Sequence, residues 1–189
     1  ITAEEEARLA VMGCHALLEP GEGPALIFDI GGGSTELVLV STDKPVPEIL
    51  DWHSIPWGVV SLTESVPELG TDPASLQRSY ALMLEKVHEK LSEFAARLPV
   101  GQGEHRLLGT SGTVTTLASV HLGLSSYDRR QIDGLHMETA PMLEICRQLA
   151  ELPPVGRAAI PTIGTERADL VVAGCAILEA IFEVWPGKR

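Results

Sequence analysis

Basic side chains are scarce in this sequence. Fourteen lysines and arginines stand against 26 aspartates and glutamates in 189 residues, a formal net charge of -12. So acidic a chain does not bind nucleic acid or anionic lipid through a broad electrostatic surface. A phosphate-rich ligand then needs a local device, such as oriented backbone amides or a metal ion. Aromatic residues make up only 4%, and Trp52, Trp57 and Trp185 are too scattered for a base-stacking platform. The longest nearly apolar stretch, Leu170 to Leu178, is far short of the roughly 20 residues of a membrane-spanning helix. No charged-then-apolar signal peptide opens the chain, so a soluble protein without a membrane partner is expected. Only three cysteines are present, Cys14, Cys146 and Cys175, far apart and each in an apolar setting. They read as reduced core residues, which favours the cytoplasm.

What is present fits one ordinary domain. The length suits a single core, and 44% hydrophobic residues rule out intrinsic disorder. Thr2-Ala3-Glu4-Glu5 has capping-box spacing, and a first helix is expected to about Leu18, followed by a connector from Pro20 to Pro24. Residues 25–30 read as a buried strand, 31–34 as a tight turn, 35–40 as the partner strand and 48–55 as a third strand. The Pro56-Trp57-Gly58 break leads into a short segment at 59–65. Asp72-Pro73 starts an amphipathic helix carrying Leu76, Tyr80, Met83, Leu84, Val87, Leu91, Phe94 and Leu98, expected to pack on a sheet. A strand at 106–109, a loop at 110–113 and a helix from Val114 to Leu122 follow. Then come a variable region at 123–136, a helix at 139–152 and one long helix at 166–185. The fold class is α/β, a mixed sheet flanked by helices.

Asp29-Ile-Gly-Gly-Gly-Ser-Thr-Glu36 is the strongest chemical signal. Gly31, Gly32 and Gly33 let several amides turn toward one anion, and Asp29 and Glu36 flank the turn, a pair suited to a divalent metal or a positioned water. A dinucleotide fingerprint fails because Glu36 stands where its third glycine belongs. The nucleoside-triphosphatase P-loop fails for want of a lysine anywhere between Ile1 and Asp43. The second signal is Gly109-Thr-Ser-Gly-Thr113 before a helix, which reads either as a phosphate cradle or as a cap without ligand. Ser111 is a poor nucleophile candidate, because the spacing is not Gly-x-Ser-x-Gly and no Asp–His partners are evident. Glu4, Glu5 and Glu6 complement a helix dipole, or offer a general base that overhangs the glycine turn. The six histidines make no close metal-ligand pairs, and Arg129, Arg130 and Arg167 are isolated candidates for anion contact.

Glu4-Glu-Glu-Ala-Arg-Leu9, Asp29-Ile-Gly-Gly-Gly-Ser-Thr-Glu-Leu37 and Leu108-Gly-Thr-Ser-Gly-Thr113 occur in this order. Together they resemble the exopolyphosphatase and guanosine pentaphosphate phosphohydrolase (Ppx/GppA) family. Tyr127-Asp-Arg-Arg, Asp133-Gly-Leu-His and Thr165-Glu-Arg-Ala-Asp-Leu-Val-Val-Ala-Gly-Cys-Ala-Ile-Leu178 extend the match over residues 1–185. The resemblance implies the actin, hexokinase and Hsp70-like (ribonuclease H-like) fold, with a cleft between two related domains. Residues 1–18 would be the interdomain helix, and 19–189 a second domain truncated at its C-terminus. It also implies removal of a terminal phosphate from polyphosphate or pppGpp with magnesium. Glu6 would activate the water, and Asp29 and Glu36 would hold the metal and order that water. Gly31, Gly32, Gly33, Ser34, Ser111, Gly112 and Thr113 would contact phosphate. The family's first domain carries another phosphate loop, and no such loop precedes Ile1, itself not a natural start residue. The expectation is therefore a longer parent, with a missing first domain as partner and a bare cleft face that drives homodimers. An actin-like ATPase or small-molecule kinase, and a noncatalytic polyphosphate or pppGpp sensor, are the competing readings.

Overall fold

A computed structural model of the chain describes residues 3–18, 21, 23–44, 46–66, 69–98 and 106–186, without the side chains of residues 3, 4 and 6. The proposed Thr2 cap and part of the 20–24 connector lie outside the described residues. The elements run α1 (Ala3–Cys14), β1 (Ala25–Ile30), β2 (Thr35–Ser41), β3 (Glu48–Ile55), α2 (Val59–Ser65), α3 (Pro73–Ala95) and β4 (Arg106–Thr110). They continue with α4 (Ser111–His121), α5 (Arg129–Ile132), α6 (Thr139–Glu151), α7 (Pro154–Ala158), α8 (Gly164–Arg167) and α9 (Leu170–Val184). One turn of 3-10 helix, His15–Leu17, extends α1 toward the expected end at Leu18.

The four strands form one mixed sheet in the order β3-β2-β1-β4. β1 and β2 are the expected hairpin, with Asp29 opposite Glu36 and Ile30 opposite Thr35. β4 lies parallel to β1, with Asp29 opposite Thr110, so both strands deliver their C-terminal ends to the same rim. Alternation sorts the side chains onto two faces. Ile27, Val38 and Val40 meet Ala7, Val11 and Cys14 of α1, while Leu26, Phe28, Ile30, Leu37 and Leu39 join the larger helical core.

Three expectations require correction. α3 packs mainly on α9, and its principal contact with the sheet is to β3, where the Phe94 ring stacks on His53 at 5.6 Å. The central place belongs to α9, whose residues Val171 to Ile181 are buried all round, and a helix apolar on every side must sit inside. Its one acid there, Glu179, accepts from the Tyr80 hydroxyl at 2.5 Å and from Arg147 at 3.4 Å. The expected single helix at 166–185 is instead two, α8 and α9. At the joint the buried Arg157 guanidinium donates to the Ala168 carbonyl at 2.6 Å. Finally, residues 111–113 are not a loop. α4 begins at Ser111, directly after β4.

Cys14, Cys146 and Cys175 are buried free thiols, as expected. Among the described residues, no helix is long and apolar enough to cross a membrane.

Candidate phosphate-binding site

The glycine turn is closed by the Gly31 amide, which donates to the Ser34 carbonyl at 3.0 Å. Its own carbonyls face α2. Val59 donates to Gly31 at 2.9 Å, Val60 and Ser61 donate to Gly32 at 2.9 and 3.2 Å, and the Ser61 hydroxyl donates to Gly33 at 2.9 Å. α2 therefore satisfies its otherwise unpaired first-turn amides on the turn.

At the base of the turn, Asp29 and Glu36 are cross-strand partners on the α1 face of the sheet. Glu36 is 7% exposed, and its Oε1 accepts from the Ser34 hydroxyl at 2.7 Å and the Ser54 hydroxyl at 3.0 Å. Burial raises the Asp29 carboxyl above its ordinary range, the Thr110 hydroxyl opposes that shift, and the Glu36 charge adds to it. Burial, followed by the nearby Asp29 charge, pushes the Cys14 thiol up to about 11. No group of three or more His, Cys, Asp or Glu ligands occurs among the described residues. Two carboxylates still fit magnesium, which takes one or two protein carboxylates and completes its octahedron with waters and substrate phosphates.

The opposite side of the turn opens into a cleft of about 310 Å³. One wall is Ile30, Gly31, Gly32 and Val59; the second is Ser111, Gly112, Thr113 and Thr116 of α4; Arg167, Leu170 and Val171 complete it. Ser111 has φ +92°, because no connecting residue separates the strand from the helix, and its Oγ is buried without a hydrogen-bonding partner among the described residues. The close approach of α4 to α9 depends on Gly174, where a Cβ would lie 2.5 Å from Thr113 Cγ2.

The structure thus brings together five of the anticipated phosphate contacts, Gly31, Gly32, Ser111, Gly112 and Thr113. Gly33 and Ser34 complete the turn without lining the cleft. Asp29 and Glu36 sit behind it on the α1 face, and the Glu6 side chain lies outside the described residues. Arg167 enters the cleft and donates to Thr116 Oγ1 at 3.1 Å. Arg129 instead pairs with Asp133 at the surface, and Arg130 is exposed elsewhere. Sequence reasoning missed Val59, Thr116, Leu170 and Val171; the Pro56-Trp57-Gly58 break was the available hint that a short helix docks on the turn.

The model of the Ppx/GppA phosphatase family matches residues 1–188. The chain belongs to the Ppx/GppA phosphatase family. It is 32% identical over 182 residues to exopolyphosphatase 2 of Mycobacterium tuberculosis, covering 96% of this chain and 54% of that protein. The crystal structure of the Aquifex aeolicus Ppx/GppA family member superposes with a TM-score of 0.81 at 27% identity, over 100% of this chain and 57% of that one. An exopolyphosphatase structure from Cytophaga hutchinsonii, 22% identical with a TM-score of 0.75 over 97% of this chain and 57% of that one, agrees in fold alone. This Ppx/GppA chain spans about half the length of the curated relatives it matches. Its fold is the actin-like fold of Ppx/GppA proteins, and the glycine turn and the start of α4 lie at the carboxyl ends of parallel β1 and β4, where open α/β sheets bind ligands.

Proposed function

We propose that the full-length protein removes the terminal phosphate from inorganic polyphosphate or pppGpp in the cytoplasm, by metal-assisted attack of water. One observation carries the reading: the glycine turn and the start of α4 converge on a single cleft, while two register-matched carboxylates stand behind the turn. In this account residues 1–18 form the helix between two domains, residues 19–189 belong to the second, and a first domain completes the cleft.

Phosphoryl transfer needs positioning and charge neutralisation above all. The amides of the glycine turn and the N-terminus of α4 would hold phosphate oxygens, and Arg167 would supply the positive charge that an otherwise acidic chain lacks. Ser111, with its unsatisfied hydroxyl, would donate to one of those oxygens. Asp29 and Glu36 would hold magnesium, which when bound neutralises phosphate charge. The Ser34 and Ser54 hydroxyls fix one oxygen of Glu36, leaving the other for metal or water. Position 6 adjoins Ala7, which packs on this same sheet face. Glu6 would take a proton as the water oxygen bonds to the terminal phosphorus, while the bridging P–O bond breaks and its electron pair leaves with the shortened chain.

The test is magnesium-dependent phosphate release from long-chain polyphosphate and from pppGpp by the full-length protein beside its Glu36→Ala variant. Release that drops by about a hundredfold or more in the variant is expected, and the wild-type rates rank the substrates. Equal rates in the two proteins would remove Glu36 from the reaction.

A further inference from the structure

We propose that Ser61 is a positioning residue for the glycine turn, and that α2 is the clip through which it aims the turn's amides at phosphate. The identity of the anion rests on the phosphohydrolase reading above.

A trans peptide is planar, and its carbonyl and the following amide point in opposite directions. The carbonyls of Gly31, Gly32 and Gly33 all point into α2. The amides of Gly32, Gly33 and Ser34 therefore point away from it, and none of the three donates to a backbone carbonyl among the described residues. Three successive glycines have no side chains of their own to hold such an arrangement. The restraint comes from α2, and the spacing leaves no slack. A Cβ at Gly58 would lie 2.5 Å from the Gly31 oxygen and equally close to the carbonyl carbon and oxygen of Gly32.

Within this clip the three carbonyls are held differently. Those of Gly31 and Gly32 are fixed by helix amides, which any residue supplies. Among the described residues only a side chain reaches the Gly33 carbonyl: Ser61 Oγ donates to it at 2.9 Å while accepting from the Gly58 amide at 2.9 Å. The Gly33–Ser34 peptide sets the direction of the Ser34 amide, and the Ser34 hydroxyl in turn grips Glu36 at 2.7 Å. One hydroxyl thus orients the last amide of the turn and the residue that holds the buried carboxylate. Its two bonds lie near the surface, where water can satisfy the same groups. Removing it should disturb aim more than stability.

The experiment compares the full-length wild type with Ser61→Ala and Ser61→Thr. Calorimetry reads the affinity for tripolyphosphate with magnesium, steady-state phosphate release reads kcat and KM, and thermal unfolding reads stability. Ser61→Ala should lower kcat about tenfold, by misaligning rather than deleting one donor, and weaken tripolyphosphate binding, with an unchanged unfolding midpoint. Ser61→Thr, which keeps the hydroxyl, should restore both to within about twofold. The inference is overturned if Ser61→Ala binds tripolyphosphate as wild type does, if the two variants fall together in step with their unfolding midpoints, or if the wild type binds no tripolyphosphate. If the wild type binds tripolyphosphate but releases no phosphate, the hydrolase reading fails, and the calorimetric comparison still decides the role of Ser61.

Discussion

Two turns face each other across one cleft, and they are built on opposite principles. The β1–β2 turn has three glycines and is shaped from outside, by hydrogen bonds from α2 to its carbonyls. The β4–α4 junction has no loop residue at all. Its Ser111 takes φ +92°, a region that disfavours side chains, and it is kept there by packing, with Thr113 pressed against Gly174 of α9. A flexible turn held by polar contacts adjusts when one contact is lost, whereas a strained junction held by packing is sensitive to a single methyl group.

The largest effect is expected from Gly174→Ala. Its Cβ would meet Thr113 Cγ2 at 2.5 Å, from within the buried stretch of α9. Stability should fall by about 2 kcal/mol, measured by urea unfolding. Adding Thr113→Ser, which removes the clashing methyl, should recover most of the loss; failure to recover would show that α4 is not wedged by this contact.

A smaller effect of opposite sign should follow from Ser111→Gly. Relief of the positive φ should raise stability by about 1 kcal/mol. Loss of the buried hydroxyl should weaken tripolyphosphate binding by about threefold, the scale of one hydrogen bond. Stability and affinity moving in opposite directions is the signature sought, and a variant that loses both would mean the serine is not strained.

The subtlest test concerns the base of the other turn. Because Asp29 has a raised carboxyl pKa in the folded protein, the folded state holds its proton more tightly than the unfolded state does. Stability should therefore decline as pH climbs from the ordinary carboxylate range through the raised folded value, and the loss is complete above it. Asp29→Asn should flatten that decline in unfolding curves recorded across acidic to neutral pH, while abolishing magnesium-dependent turnover. An unchanged slope would place the titration elsewhere.

Much of this was legible along the chain. The strands at 25–30, 35–41 and 48–55 follow from apolar runs bounded by glycine and proline, and α3 from its cap, where the Asp72 carboxylate accepts from the Ser75 amide at 3.1 Å. The glycine turn and its two acids were equally plain, because adjacent strands of a tight hairpin can pair in few ways, and Asp29 falls opposite Glu36. The start of α4 was not legible. Serine, glycine and threonine are weak helix formers, and residues 111–113 turn helical where the end of β4 and the flank of α9 leave no room for a loop.

By itself, then, the sequence determined the hairpin, the paired carboxylates, the reduced cysteines and the family, all of which depend on neighbours in the chain or on composition. Only the tertiary structure decided that α9 lies at the centre, that two helices replace the one expected at 166–185, and that the cleft joins residues 30–32 to Ser111, Gly112, Thr113 and Thr116 and to Arg167. It also put α2 behind the glycine turn. These depend on contacts between residues tens to more than a hundred positions apart, and local periodicity carries no record of which distant backbone a free amide or hydroxyl will meet.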